Sequence, residues 1–170
     1  MKRKDDILYI KKVNGRYEAA NEDDVLKTAN IIMDSHYDYN TEQGVISSPN
    51  VAREYLYLKS TWEHESFIAM FLDSKHHVIE VDIMFRGTID SASVPVREVV
   101  KDALKHNAAA LIVAHNHPSG VADPSAADKR LTESLYAALS LVGVKLLDHF
   151  IFGTGGYPNA YSFAESGTLY

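Results

Sequence analysis

Residues 115–128 contain a set of side chains that could hold a metal ion. The segment reads His-Asn-His-Pro-Ser-Gly-Val-Ala-Asp-Pro-Ser-Ala-Ala-Asp and supplies His115, His117, Ser125 and Asp128. Residues two apart on an extended chain point the same way, so the two imidazoles could converge on one point. Residues three apart in a helix share a face, so Ser125 and Asp128 could lie together opposite them. Two nitrogens and one carboxylate oxygen could then lie about 2.0–2.2 Å from one ion.

The number of protein ligands decides what such a metal could do. Three ligands leave the fourth tetrahedral position open, which distinguishes catalytic zinc from structural zinc. The chain has no cysteine, which excludes disulfides and thiolate sites, so a transition metal must bind His, Asp or Glu. A His-x-His pair alone is a weak signal, because exposed or core histidines give the same pattern. The spacing that continues through Ser125 to Asp128 is what makes the pattern specific.

The elements that would position this set follow from apolar patterning. Residues 108–114 form a continuous small and branched apolar run, which is typical of a central strand buried on both faces. Asp123-Pro124 indicates the start of a helix over about 125–141, with Asp123 as its expected cap. The candidate site would therefore join the end of a strand to the start of a helix across a short loop.

The rest of the chain predicts a mixed α/β domain. Helices are expected over 51–59 and 95–106, and strands over 67–72, 78–85 and 144–152, with a last edge strand in the tail. The first two of these strands should form a hairpin. This order predicts a mixed β-sheet flanked by helices over residues 45–170. Residues 1–44 are predicted to be an N-terminal extension, a hairpin around Asn14-Gly15 followed by a helix over 22–35.

Composition limits the classes of partner. The chain of 170 residues is 46% hydrophobic, which suits one domain with its own core. Its net charge of -6 argues against direct DNA binding through bulk charge. No apolar run reaches the roughly 18 residues that a membrane span needs, and the basic then acidic start is not that of a secretory signal. We therefore expect a cytoplasmic protein that does not bind a membrane; the sequence leaves its oligomeric state open.

The metal-binding segment resembles the JAMM (MPN-type) metalloprotease motif. In that motif a distant Glu precedes His-x-His, seven residues, Ser, two residues and Asp. A longer similarity, over about 48–169, is to the bacterial RadC-like family, which carries a historical DNA-repair label. The similarity rests on Glu63-His64-Glu65-Ser66-Phe67, Phe71-Leu72-Asp73, Phe85-Arg86-Gly87-Thr88, Val94 to Val99, Ala114 to Gly120, and Leu141 to Val144 with Asp148-His149.

The resemblance implies a fold, an activity and roles for site residues. The fold is the JAMM/MPN type, related in layout to the cytidine deaminases. The activity is zinc-dependent hydrolysis of amide or isopeptide bonds in a peptide or protein substrate. His115, His117 and Asp128 become the zinc ligands, Glu65 the base that moves a proton from water to the leaving amine, and Ser125 the partner of the water or oxyanion. Glu63 remains a minor alternative to Glu65.

Some features depart from the family pattern or leave its reading open. Asn116 stands where eukaryotic-type members usually carry Ser or Thr. Residues 1–40 are too short and too acidic for the helix-hairpin-helix domain of longer RadC-like proteins. Asp148-His149 could orient a ligand histidine or could be a structural pair.

Other classes of protein remain to be weighed against the hydrolase. The chief alternative is a non-catalytic or metal-bearing interaction module in DNA processing or a mobile element. A nucleobase deaminase would need cysteine ligands, which the chain lacks. A magnesium nuclease would need a carboxylate-rich site, whereas two imidazoles favour zinc.

Overall fold

The computed structural model describes residues 8–11, 15–21, 24–25, 27–29, 31–32, 45–60, 64–87 and 94–169. The chain divides into two compact units, Met1–His36 and Tyr37–Tyr170. In the first unit, β1 (Tyr9–Lys11) pairs antiparallel with β2 (Tyr17–Ala19), and the described residues between 24 and 32 are helical. Asn14 of the predicted turn and residue 44, where the N-terminal extension was predicted to end, lie outside the described residues.

The second unit is built on a five-stranded mixed sheet. Its elements are α1 (Pro49–Lys59), β3 (Glu65–Leu72), β4 (Val78–Gly87), α2 (Val96–Lys105), β5 (Ala110–Asn116), α3 (Ala126–Leu141), β6 (Lys145–Phe152), a 3-10 turn (Tyr157–Asn159) and β7 (Tyr161–Ser162). The strand order is β4-β3-β5-β6-β7. The β5–β6 pair is parallel and the other three pairs are antiparallel. The predicted hairpin of β3 and β4, the predicted central strand β5 and the predicted mixed sheet are confirmed.

Helices pack on both faces of this sheet. One face carries a core formed with α2 and α3, whose members include Phe67, Phe71, Val99, Leu111, Val113, Leu135 and Leu139. Phe150 and Phe152 of β6 point to the opposite face, where their rings contact Arg53 and Tyr57 of α1. Every residue of β5 is buried, because the strand is central and covered on both sides. In the part of the chain described here, no helix is both long and apolar enough to cross a bilayer.

The start of α3 differs from the prediction. Asp123 was expected to cap this helix, and that prediction is wrong, because the N-cap is Ser125. The Ser125 hydroxyl accepts a hydrogen bond from the Asp128 backbone N–H at 3.2 Å, and the Asp128 carboxylate accepts one from the Ser125 N–H at 2.8 Å. Such a reciprocal capping box needs an acceptor three residues after the cap. Asp128 supplies it for Ser125, whereas the residue three after Asp123 is Ala126.

Candidate metal centre

The two histidines and the aspartate of the sequence pattern converge at the end of β5. His115 is the last but one residue of the strand and His117 directly follows it. Their Nε2 atoms lie 2.9 Å apart. Asp128, in the first turn of α3, places Oδ1 3.2 Å from Nε2 of His115 and Oδ2 3.5 Å from Nε2 of His117. Ligand atoms at about 2.0–2.1 Å from a tetrahedral ion lie about 3.3 Å apart, so these separations match a zinc-sized site.

Glu65 joins this group from the strand next to β5. It is the first residue of β3, whose register places Phe67 opposite His115. Glu65 lies two residues before Phe67 on the same face, which directs it towards the level of His117. Ligand atoms of Glu65, His115 and His117 all lie within 4.8 Å of one another and could hold a metal ion. Glu63, the alternative base, lies outside the described residues.

A backbone carbonyl fixes the orientation of His117. Its Nδ1 lies 2.8 Å from the carbonyl oxygen of Val121. A carbonyl can only accept, so Nδ1 carries a hydrogen, and in the neutral ring Nε2 keeps its lone pair for a metal. The geometry of the turn therefore sets which nitrogen of His117 faces the site.

The loop that carries this carbonyl is pressed against the end of β6. The Thr154 N–H donates to the Gly120 carbonyl at 3.0 Å. Gly120 has a φ of +85°, a conformation that favours glycine. A Cβ at Gly153 would lie 2.4 Å from the Gly120 oxygen, so the close approach of the two segments also requires glycine at position 153. These two glycines let the loop reach the position from which Val121 holds His117.

A buried chain of hydrogen bonds likewise fixes which ring nitrogen of His115 carries the hydrogen. Nδ1 of His115 lies 2.8 Å from Nε2 of His149, and Nδ1 of His149 lies 2.7 Å from Oγ1 of Thr132. The Thr132 hydroxyl donates to the Asp128 carbonyl at 2.7 Å, so it accepts from Nδ1 of His149. Nε2 of His149 must then accept from Nδ1 of His115. This leaves a lone pair on Nε2 of His115, directed at the site.

The resulting arrangement calls for a cation. The Nε2 atoms of His115 and His117 face each other at 2.9 Å beside a carboxylate, so the cluster needs either a proton on one of the two nitrogens or a metal cation among the three groups. Burial alone would raise the pKa of Asp128, but His115 and His117 hold it far below its usual range. Burial lowers the pKa of His115 and lowers that of His149 well below its usual value. Zinc prefers an ionised carboxylate and neutral imidazoles as donors, and His117 joins this set once its proton leaves.

Acidification should weaken metal binding in a defined direction. The hydrogen bond with Asp128 raises the pKa of His117, against the opposing effect of burial. A proton therefore occupies His117 of the metal-free protein at pH values above the ordinary histidine pKa of about 6.5 and must leave before a metal binds. We expect the apparent zinc affinity to fall about tenfold per pH unit once the pH drops below this raised value. Competition with a chromophoric chelator from about pH 5.5 to 8.5 measures it, and a flat profile would contradict the prediction.

Asp148 and His149 make different contacts. His149 contacts the ring of His115, as one of the two readings of the sequence suggested. Asp148 instead accepts hydrogen bonds from the Ser162 hydroxyl at 2.6 Å and from the backbone N–H groups of His149 and Ala164. It therefore ties β6 to the turn after β7. Sequence reasoning missed Thr132, although its position one helical turn after Asp128 was an available signal.

Removing the Thr132 hydroxyl should weaken metal binding without changing the side chain of any proposed ligand. In Thr132→Val the side chain keeps its shape, but His149 loses the acceptor for Nδ1 and no longer fixes the tautomer of His115. Hydrogen-bond partners of metal-bound histidines typically contribute about 10–100-fold in metal affinity, and Thr132 acts through such a partner, His149. We expect a loss of zinc affinity in this range, measured by chelator competition. Ser134→Ala, which removes an exposed hydroxyl on the same helix, is the control, and equal affinities in both variants would contradict the prediction.

Comparisons with known proteins agree with this fold and site. The mixed five-stranded sheet flanked by helices is consistent with the JAB/MPN fold. A family model described as the RadC-like JAB domain matches residues 46–168, and the chain belongs to this family. Similar curated relatives, each named a UPF0758 protein, come from Nitrosomonas eutropha, 53% identical over 126 residues, and Vibrio parahaemolyticus, 54% identical over 127. These matches cover 74% and 73% of this chain but 55% and 54% of the relatives, so the chain spans about half their length.

Proposed function

We propose that this protein is a zinc-dependent hydrolase of amide or isopeptide bonds. The observation that carries the proposal is the pair of Nε2 atoms, 2.9 Å apart, with the Asp128 carboxylate 3.2 and 3.5 Å away. His115, His117 and Asp128 would hold the ion, since three protein ligands leave one position open for chemistry. Membership of the RadC-like JAB domain family supports the same reading.

The chain's own groups could move the protons of a hydrolysis. Zinc at this position would supply Lewis acidity, lowering the pKa of a coordinated water towards about 7 and polarising the substrate carbonyl. The Glu65 carboxylate, within 4.8 Å of both imidazoles, would accept a proton from the attacking water. It would then return this proton to the amine nitrogen as the C–N bond breaks, giving a carboxylic acid and a free amine.

Ser125 lies where it could serve the oxyanion. Its Oγ accepts the capping hydrogen bond from the Asp128 N–H, and an oxygen that accepts can still donate its own O–H. Ser125 is exposed and accepts from the N–H of Asp128, whose carboxylate lies 3.5 Å from His117, so the Ser125 hydroxyl can reach a substrate. Donation to the developing oxyanion would make Ser125 both the cap that orients Asp128 and a stabiliser of the transition state.

The open side of the site favours a large substrate. Ser125 is exposed, and so is Val121 of the adjacent loop, with 56% of its surface accessible. A substrate carbonyl can therefore approach from solvent while the rest of a peptide or protein remains outside the site. We propose a peptide or protein chain as the substrate class on this ground.

Zinc analysis combined with a hydrolysis assay tests the proposal. We expect about one zinc per chain and cleavage of members of a library of peptide and isopeptide amides by the zinc-loaded protein. Cleavage should stop after removal of the metal by a chelator and return when zinc is restored. A protein that binds zinc tightly but cleaves no amide would instead support the metal-bearing interaction module, and a protein indifferent to zinc would reject both.

A further inference from the structure

Asn116, between the two histidines, has a buried carboxamide that contacts a different strand. It is fully buried, and its position in β5 directs its side chain to the opposite face from His115. Its Oδ1 accepts from the Ser66 backbone N–H at 2.9 Å and from the Ser66 hydroxyl at 2.6 Å. Its Nδ2 donates to the His64 carbonyl at 3.1 Å. These bonds hold the residues immediately before and after Glu65.

The contact occurs where the backbone ladder between the two strands stops. The register of β3 with β5 runs from Leu72 opposite Ala110 to Phe67 opposite His115. Beyond it, the Asn116 side chain makes the connection to the start of β3. The other side of this segment pairs with β4, where Glu65 lies opposite Gly87, but β4 is an edge strand of the sheet. The bonds of Asn116 thus link the residues on either side of Glu65 to the strand that carries His115.

We propose that Asn116 is a positioning residue that sets the distance between the Glu65 carboxylate and the two imidazoles. A carboxamide suits this role because it offers an acceptor for Ser66 and a donor for His64 on one rigid group. Aspartate keeps the shape but cannot donate when ionised, and serine is too short to span both contacts. The consequence for catalysis rests on the proposed hydrolase function, whereas the placement of Glu65 can be measured in the protein without it.

The test compares wild type with Asn116→Asp and Asn116→Ser. Crystal structures of the metal-free proteins should show the Glu65 carboxylate further from Nε2 of His117 by about 1 Å or more, a displacement that can cost about 100-fold in rate. Zinc affinity should change less than about threefold, because His115, His117 and Asp128 are untouched. Asn159→Asp is the matched control, since it makes the same chemical change at an exposed asparagine, whose Nδ2 donates to the Gly155 carbonyl. It should keep Glu65 in place.

Kinetic measurements distinguish an effect of Asn116 that acts through Glu65 from a general loss of structure. We expect kcat to fall about 10–100-fold with little change in KM. Adding Asn116→Asp to Glu65→Gln should cause no further loss, because the group being positioned is already inactive. An unmoved Glu65 in folded variants, or a loss that multiplies with that of Glu65→Gln, overturns the inference. Absence of hydrolysis in wild type would contradict the proposed function instead. The distance between the Glu65 carboxylate and Nε2 of His117 in the crystal structures would still decide the role of Asn116.

Discussion

Replacement of Glu65 by glutamine should reduce amide hydrolysis by about 10²–10⁴-fold, the range of a general acid–base contribution. The amide keeps the size and polarity of the side chain but cannot accept the proton of the attacking water at neutral pH. A carboxylate oxygen of Glu65 lies within 4.8 Å of a ring nitrogen of each imidazole. The Asp128 carboxylate lies 3.2 and 3.5 Å from the two rings. The variant should therefore still bind about one zinc per chain.

The loss should lie in kcat rather than in KM. A base that acts in the transition state contributes little to binding of the ground state. Glu54→Gln, an exposed glutamate on α1, gives the matched control and should keep full activity. Hydrolysis by Glu65→Gln at the wild-type rate would remove Glu65 from the mechanism. Loss of zinc together with activity would make Glu65 a ligand instead of a base.

Replacement of His115 by alanine should abolish tight zinc binding. The change removes one of the three proposed ligand atoms and also separates His149 from the site, because His149 holds the ring of His115 at 2.8 Å. We expect the purified variant to contain little zinc and its zinc affinity to fall by more than about 100-fold, since removal of partners one step further from a metal already costs about 10–100-fold.

Thermal unfolding with and without zinc gives a second measure of the same loss. A ligand that binds the folded state at about 1,000 times its Kd adds about 4 kcal/mol to the free energy of unfolding. Zinc should therefore raise the Tm of wild type and leave that of His115→Ala nearly unchanged. The zinc-induced change in Tm is compared within each protein, so the stability that the variant loses through the cavity left by alanine does not affect the comparison. His76→Asn is the control, because His76 is exposed with a φ of +64°, which asparagine tolerates. A zinc-induced shift in His115→Ala equal to that of wild type would contradict the assignment of His115.

Local patterning in the sequence was sufficient for the elements around the site. The apolar run before His115 predicted a central buried strand, and β5 is buried throughout. The spacing of His115 and His117 predicted that both rings face one point, because side-chain direction alternates along an extended chain. The helix that carries Asp128 was also predicted, with an error at its cap. Predictions of this kind depend on neighbours within a few residues, which the sequence shows directly.

The placement of Glu65 depends on long-range pairing. Fifty residues separate it from His115, and it reaches the site through the antiparallel register of β3 with β5. The sequence suggested Glu65 through resemblance to a family, since alone it could equally be a solvated charge at a strand edge. The structure shows that Phe67 pairs with His115, which brings the start of β3 to the end of β5. Registers between distant strands are set by packing of whole faces and cannot be read from one segment.

The sequence by itself determined the donor types, their spacing and the class of fold, because these follow from composition and local periodicity. The tertiary structure alone decided which ring nitrogens face the site. Hydrogen bonds from His115 through His149 to Thr132, and from His117 to the Val121 carbonyl, assign the lone pairs. The partners of an imidazole come from separate strands, helices and loops, and they become neighbours only when the sheet and α3 pack together. For that reason the chemistry of the cluster could be proposed from the sequence, but its protonation could be argued only from the folded chain.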